Sequence, residues 1–293
     1  MYGAIIGDIV GSIYEFHNIK TKNFPIPDPN MNFTDDSLMT IAVADWLLRD
    51  NSHSHAQLEQ SFVDLAFKYP TPMGGYGSMF ADWLDLPSLH FVVTTGDDST
   101  CRFSLVEQRQ PYNSFGNGAG MRVSPVGWWC QTLDDTLKLA EISASITHNH
   151  PEGIKGAQVV AGSIFLARSG ATKDDIRQFA SSFGYDMNRT SDQIRPNYTF
   201  DGSCQGTVPE ALISFLDSTD YEDCIRIGVS LGGDSDTLCA IAGSVAEAYY
   251  KHIPPQLINL ANKFIPEDLK QIVQKFYDHL DDNENKMLIE NSD

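Results

Sequence analysis

Hydrophobic residues recur at three- and four-residue spacing along most of the chain. This period is typical of amphipathic α-helices, and it predicts helices over residues 39–48, 58–67, 136–146, 153–166, 174–183, 208–216, 221–229, 237–250 and 266–280. Strict alternation is absent, and the one short strand candidate, 91–93, cannot stand alone. We therefore expect an all-α fold: a single compact, orthogonal helical domain over 1–280, followed by an acidic, frayed tail over 281–293.

Small residues and loops add detail to this picture. Stripes of glycine, alanine and serine at helical spacing near the start of the chain and in 237–250 favour tight helix packing. Prolines, glycines and asparagines interrupt the helical pattern and predict irregular segments at 21–33, 70–78, 111–125 and 185–207. Long irregular segments in compact domains are often functional.

Composition narrows the classes of function. The chain has 293 residues, with 20 Lys and Arg against 39 Asp and Glu, which gives a net charge of −19. Such a charge argues against an extended nucleic-acid footprint and against a polybasic membrane surface. We expect no membrane span, because no run of about 20 apolar residues occurs. The five cysteines form no C-x-x-C pair, and with no signal peptide the default expectation is a reducing, cytoplasmic setting.

Two acidic clusters stand where a loop enters a helix. They are Thr34-Asp35-Asp36 and the segment 234–237, Asp-Ser-Asp-Thr. A helix N-cap requires only one side-chain oxygen. Each cluster supplies two carboxylates and a threonine hydroxyl, and an unusually apolar helix follows each of them. Buried carboxylates are costly unless they are paired or bind metal. If the clusters face each other, this all-oxygen donor set suits Mg²⁺, Mn²⁺ or Ca²⁺ better than zinc.

A glycine-rich loop at 113–122 (NSFGNGAGMR) is a second candidate element. Glycines let a backbone approach a ligand closely, and successive N–H groups can form an anion-binding nest. A lone loop of this kind is a weak signal. Beside a metal site it could hold a diphosphate.

Five motifs together resemble the ADP-ribosylglycohydrolase family, the group of dinitrogenase-reductase-activating glycohydrolases and ADP-ribosyl-acceptor hydrolases. In chain order they are G-D-x-x-G-x-x-x-E at 7–15, T-D-D at 34–36, G-N-G-x-x-M-R at 116–122, T-H-x-H-P at 147–151 and G-G-D-S-D-T at 232–237. The resemblance runs from about residue 3 to 255 and implies an all-α fold with a dinuclear metal cleft. It also implies hydrolysis of the bond between C1″ of ADP-ribose and an acceptor.

The resemblance assigns roles residue by residue. It implies two Mg²⁺ ions, with Mn²⁺ as a substitute, held by six ligands: Thr34, Asp35, Asp36, Asp234, Asp236 and Thr237. It places Glu15 on a mobile flap over the substrate, and we expect Glu15, Asp35, Asp36 and Asp236 to be catalytic. It assigns substrate contacts to Tyr76 and His148 and to the loop residues Ser114, Phe115, Gly116, Asn117 and Gly118.

Other functions stay open at this point. An all-α magnesium-dependent diphosphate enzyme of the isoprenoid synthase type needs D-D-x-x-D on one helix, but Asp35-Asp36 is followed by Ser-Leu-Met. A protein that binds ADP-ribose, or an immunity protein that neutralises a toxin by occlusion, is the alternative outside the enzymes. The segment 86–110 looks longer than the usual connector and could serve as a lid, partner surface or specificity insert. Arginine-linked ADP-ribose, on a protein or small molecule, is the preferred substrate by family analogy; the oligomeric state is left open.

Overall fold

The computed structural model describes residues 1–85 and 109–290 of the chain, and this part is built from α-helices. Within these ranges no β-strand forms, and only two isolated bridges occur, Thr34 with Met73 and Gly116 with Ser203. The predicted all-α class is confirmed. The helices are α1 (Tyr2–Gly11), α2 (Asp35–Arg49), α3 (His55–Lys68), α4 (Ser78–Asp85), α5 (Gly118–Met121), α6 (Ser124–Trp129), α7 (Leu133–Ser145), α8 (Pro151–Arg168), α9 (Lys173–Ser182), α10 (Ser191–Ile194), α11 (Cys204–Asp217), α12 (Tyr221–Leu231), α13 (Ser235–Tyr250), α14 (Pro255–Phe264) and α15 (Glu267–Glu290).

Helix α13 forms the centre of the molecule. It is buried from its first residue through Ala248, and it packs against α1, α8, α11 and α12. The glycine stripe of α1 allows the closest of these contacts, because a Cβ at Gly7 would overlap the backbone of Cys239. A Cβ at Gly11 would lie 2.5 Å from the Cα of Asp236. The tight packing expected from the small residues therefore brings α1 directly against the acidic end of α13.

Several elements differ from the sequence prediction. Helix α2 starts at Asp35, so the first acidic cluster lies in its first turn, with Thr34 as the N-cap. The segments 111–125 and 185–207 are not wholly irregular, since they contain α5, α10 and the first turns of α6 and α11. The hydrophobic pattern does not predict α5 and α10, because each has only four residues. Four residues are too few to show a helical period. Helix α14 was also missed; it starts directly after Pro254.

The C-terminal segment also differs from its prediction. Helix α15 continues to Glu290, so the first ten residues of the expected frayed tail are helical. The reason lies in their composition, since the segment 281–290 contains no glycine or proline and several good helix formers. The domain limit at 280 stays a prediction. The strand candidate 91–93 and nearly all of the segment 86–110 lie outside the described residues.

No helix in the described part of the chain is both long and apolar enough to cross a bilayer.

Candidate active site

The two acidic clusters meet at one cavity of about 340 Å³. The first turn of α2 and the first turn of α13 both contribute to its wall, although about 200 residues separate them in sequence. Twelve further residues also line the cavity. The predicted site residues that line it are twelve: Glu15, Asp35, Asp36, Tyr76, Ser114, Gly116, Asn117, Gly118, His148, Asp234, Asp236 and Thr237. The juxtaposition expected from the sequence is thus present.

The first cluster is held in place by Asp8, which the sequence did not single out. Asp8 is fully buried on α1, and its carboxylate accepts hydrogen bonds from Thr34 N at 3.0 Å, Thr34 Oγ1 at 2.7 Å and Ser37 N at 3.1 Å, and a further one from the Ser37 hydroxyl. Thr34 Oγ1 also accepts from Asp36 N, at 3.2 Å. Thr34 therefore caps α2 and lies behind the cavity wall, while Asp35 and Asp36 face the cavity.

The second cluster follows a turn that only glycine permits easily. Gly232 and Gly233 have φ values of +73° and +74°, and a Cβ at Gly233 would lie 2.5 Å from the Tyr198 ring. Asn18 fixes the same turn, because its side chain accepts from Gly233 N at 2.8 Å and donates to Gly233 O at 2.9 Å. The turn delivers Asp234 to the cavity, where Asn117 donates to its carboxylate at 2.7 Å.

Glu15 joins the second cluster from the segment that follows α1. It follows the 3₁₀ turn Ser12–Tyr14, and carboxylate oxygens of Glu15, Asp234 and Asp236 lie within 4.8 Å of one another. On its other side Glu15 touches the loop at 70–78, since a Cβ at Gly74 would lie 3.0 Å from Glu15 Oε2. The half-buried Glu15 carboxylate therefore lies between the acidic cluster and that loop.

Burial and mutual repulsion raise the pKa values of these carboxyl groups. Burial, with contributions from Asp234 and Asp8, raises the pKa of Glu15 to about 7. Burial also raises the pKa of Asp8 to about 6, although its hydrogen bonds oppose the change. The pKa values of Asp35 and Asp36 are raised well above the ordinary range by burial and by neighbouring carboxylates. In the absence of a cation, the cluster can hold protons close to neutral pH.

The second cluster shows the same effect. Burial raises the pKa of Asp234, and burial followed by the charges of Asp234 and Asp36 raises that of Asp236 well above its ordinary range. Carboxylate oxygens of Asp234 and Asp236 lie within 4.8 Å of each other. Two carboxyl groups this close are not both ionised readily unless a proton or a cation lies between them.

The donor set fits a hard cation. Asp36 Oδ2 is buried and has no hydrogen-bond partner, which is costly unless another group binds it. Among the described residues that line the cavity, Arg122 is the one Lys or Arg side chain, and its guanidinium donates to Thr147 and Ser143 rather than to a carboxylate. The acidic cluster can therefore hold a metal ion, and its oxygen donors suit hard cations better than softer metals.

The glycine-rich loop forms the neighbouring wall of the cavity. Its backbone is tied to the segment before α11, because Asn117 N donates to Gly202 O at 2.8 Å. Ser114 Oγ accepts from Gly116 N at 3.0 Å. Phe115 differs from the other predicted loop residues, since its ring is 49% exposed, packs against His150 and does not line the cavity.

Two residues predicted to contact the substrate, Tyr76 and His148, lie in the wall of the cavity. Tyr76 lines the cavity and donates its hydroxyl proton to Tyr69 O at 2.8 Å. His148 is buried, and a Cβ at Gly118 would lie 3.0 Å from its Nε2. Burial, assisted by the charge of Arg122, lowers the pKa of His148 well below its ordinary value, so this imidazole is neutral.

Sequence reasoning missed several residues around the cavity. Asp8 and Arg122 stood inside quoted motifs but received no role, and Asn18 lies in no motif. Tyr112 and Phe200 line the cavity from segments whose composition predicts only irregular structure. No local signal marks Asn18 or Phe200, because only the folded chain brings them to the site.

Comparison with known proteins decides the family. A family model described as ADP-ribosylglycohydrolase matches residues 1–286. The chain belongs to the ADP-ribosylglycohydrolase family. The family predicted from five motifs is thereby confirmed, and the chain is a hydrolase by class, as its family and its relatives indicate.

Individual relatives agree with this membership. ADP-ribosylhydrolase ARH3 of Mus musculus is 24% identical over 313 residues, which cover 85% of this chain and 82% of that protein. ADP-ribosylarginine hydrolase Tri1 of Pseudomonas putida (strain GB-1) is 25% identical over 279 residues, covering 88% of this chain and 72% of that protein.

A solved structure shares the fold. It is described as an ADP-ribosylglycohydrolase-related protein complex, and it superposes with a TM-score of 0.61 at 20% identity. The match covers 94% of this chain and 97% of that one. The all-α architecture of this chain is therefore that of the family.

Proposed function

We propose that this enzyme hydrolyses the bond between C1″ of the distal ribose of ADP-ribose and an acceptor, with divalent cations as cofactors. The observation that carries the proposal is the meeting of Glu15, Asp35, Asp36, Asp234 and Asp236 at one cavity whose adjoining wall is the glycine-rich loop. An acidic cluster beside a loop with anion-binding chemistry matches a ligand that combines ribose hydroxyls with a diphosphate.

Two Mg²⁺ ions, with Mn²⁺ as a substitute, are the proposed cofactors. Asp35, Asp36, Asp234 and Asp236 would hold them, with the hydroxyl of Thr237 as a further donor. The predicted ligand Thr34 does not line the cavity, because its hydroxyl caps α2 and donates to Asp8. The unpartnered Oδ2 of Asp36 and the carboxylate oxygens of Asp234 and Asp236, which lie within 4.8 Å of each other, support this assignment. When bound, the ions would supply Lewis-acid activation of water and bind substrate oxygens.

The side chains of the chain have complementary tasks. Cleavage of a glycosidic bond passes through an oxocarbenium-like state, and the clustered carboxylates stabilise its positive charge. Glu15 is half-buried and borders the cluster, so it can accept a proton from the attacking water. General base assistance of this kind contributes about 10²–10⁴-fold. Ser114, Gly116, Asn117 and Gly118 would bind the diphosphate and the distal ribose.

Arginine is the acceptor that we prefer. The relative from Pseudomonas putida is named an ADP-ribosylarginine hydrolase, and a cationic guanidinium suits an acidic cavity. Phe200 stands 54% exposed in the cavity wall, where an aromatic face can contact a cation. The partner would be an ADP-ribosylated protein or a small ADP-ribosylated molecule.

A release assay tests the proposal. Arginine-, serine- and nucleotide-linked ADP-ribose would each be incubated with the enzyme and Mg²⁺, and free ADP-ribose would be quantified by chromatography. We expect release from at least the arginine conjugate and its loss after chelation. Asp45→Asn, which changes a buried carboxylate on α2 away from the cavity lining, serves as the matched control for Asp36→Asn. Release that persists undiminished in chelator would contradict the metal-dependent mechanism.

A further inference from the structure

A buried chain of three polar side chains borders the glycine-rich loop. Arg122 Nη2 lies 2.7 Å from Thr147 Oγ1, and the same Oγ1 lies 2.7 Å from His148 Nδ1. Arg122 is 1% exposed, Thr147 0% and His148 5%. Arg122 Nη2 also donates to Ser143 O, at 3.2 Å. The family motifs include all three residues, but neither Arg122 nor Thr147 has a part in the proposed reaction.

The chemistry of these groups sets the direction of their hydrogen bonds. A guanidinium can only donate, so Thr147 Oγ1 accepts from Arg122. The threonine hydroxyl has one proton of its own, and His148 Nδ1 is the acceptor that lies 2.7 Å away. The opposite arrangement would direct a guanidinium N–H and an imidazole N–H at the same oxygen. Donation from an oxygen that already accepts from a cation is strengthened by cooperativity, which favours the first arrangement.

The surroundings of His148 fit this direction. The ring of Tyr112 packs on it, with centroids 5.8 Å apart. Burial raises the pKa of the Tyr112 phenol to about 12, with Arg122 and Thr147 opposing. That hydroxyl is therefore protonated at neutral pH, and it can act as a donor without taking the threonine proton.

We propose that Arg122 and Thr147 are positioning residues that hold His148 in the tautomer with its proton on Nε2, so that Nε2–H serves as a fixed donor to an anionic group of the ligand. His148 Nε2 lies 3.0 Å from the Cβ position at Gly118 and 3.5 Å from that at Gly116, which places the donor against the loop. The inference rests on the proposed function for the identity of that group, the diphosphate of ADP-ribose. A neutral imidazole in a fixed tautomer keeps this donor at every pH at which the enzyme is folded and His148 is uncharged.

Nitrogen NMR of the full chain tests the tautomer directly, because coordinates do not show which ring nitrogen carries the proton. The chain is labelled with [¹⁵N]histidine, and long-range ¹H–¹⁵N correlation spectra distinguish protonated from unprotonated ring nitrogens. His148→Gln assigns the signal. We expect Nε2 protonated and Nδ1 unprotonated in the wild type and in Thr147→Ser, which keeps the hydroxyl. In Thr147→Val we expect a mixture of tautomers. A wild-type His148 protonated on Nδ1 would overturn the proposal.

Ligand binding gives a second, separate readout. ADP-ribose titrated calorimetrically in the presence of Mg²⁺ should bind Thr147→Val about tenfold more weakly than the wild type, the loss expected for one hydrogen bond. Thr147→Ser should restore the affinity to within about twofold. A Thr147→Val chain that keeps both the tautomer and the affinity would overturn the proposal. Failure of ADP-ribose to bind the wild type would contradict the proposed function, and the spectrum of the free chain would still decide the tautomer.

Discussion

Replacing Asp8 by Asn removes the negative charge and one of the two acceptor oxygens behind the first acidic cluster while keeping the shape of the side chain. The carboxylate of Asp8 accepts from the backbone and hydroxyl groups of both Thr34 and Ser37. An asparagine can keep its carbonyl oxygen toward the two backbone N–H groups. Its NH₂ group then faces Thr34 Oγ1, which must accept where it now donates. The hydroxyl proton of Thr34 is forced to turn elsewhere.

The magnitude follows from these bonds. A hydrogen bond to a charged acceptor contributes about 1.5–3 kcal/mol and a neutral one about 0.5–1.5 kcal/mol, so reversing the Thr34 bond costs about 1–2 kcal/mol. Losing the charge relieves repulsion with Asp35 and Asp36, whose pKa values Asp8 helps to raise. In the cation-free chain these two effects oppose each other. Loss of a residue that orients metal ligands typically lowers metal affinity about 10–100-fold.

Thermal unfolding with and without Mg²⁺ measures the difference. At a Mg²⁺ concentration of 100 times the wild-type Kd, binding stabilises the wild type by about 2.7 kcal/mol; a 100-fold weaker site would give Asp8→Asn only about 0.4 kcal/mol. Asp45→Asn is the control, since Asp45 is a buried carboxylate on α2 that bonds Arg49 and Ser61. Equal Mg²⁺-induced stabilisation of Asp8→Asn and the wild type would refute this reasoning.

Three further predictions concern the cavity itself. Asp236→Asn should abolish release of ADP-ribose, measured by chromatography under saturating Mg²⁺, and a rate within a few-fold of wild type would contradict its role. Gly118→Val should weaken ADP-ribose binding at least about tenfold but leave Mg²⁺ uptake unchanged, because its Cβ would lie 3.0 Å from His148 Nε2; calorimetry measures both. The raised pKa values of Asp8, about 6, and Glu15, about 7, stabilise the cation-free chain below about pH 4, and this contribution is lost as pH rises through 6 and 7. The melting temperature in chelator should fall over that range and Mg²⁺ should restore it; a melting temperature that stays level or rises there would exclude this linkage.

Much of the fold could be predicted because long amphipathic helices carry a strong period. The predicted helical segments include α8, α11 and α12, which pack against α13, and the glycine stripe of α1 correctly indicated a close contact. Short helices could not be found in this way, since four residues of α5 or α10 show no period. Good helix formers in the acidic tail outweighed the charge pattern on which the frayed end had been based.

The part of the candidate site that could be predicted is the part in which several carboxylates stand together at the start of a predicted helix. The clusters at 34–36 and 234–237 stood out because each offered more carboxylates than a cap requires, and both face the cavity. Asp8 could not be recognised in the same way, because its role depends on bonds to Thr34 and Ser37 that only the packing of α1 against α2 creates. The role of Asn18 could not be predicted for the same reason, since its side chain bonds Gly233, which is 215 residues away in sequence.

Calorimetric titration of Mg²⁺ into the chelated chain, repeated with Mn²⁺, tests most directly whether the two acidic clusters form one cation site. We predict saturable uptake of two ions by the wild type and its loss in both Asp36→Asn and Asp236→Asn, each of which alters only one cluster. Absence of uptake of either ion by the folded wild type, or undiminished uptake by both variants, would contradict a shared site.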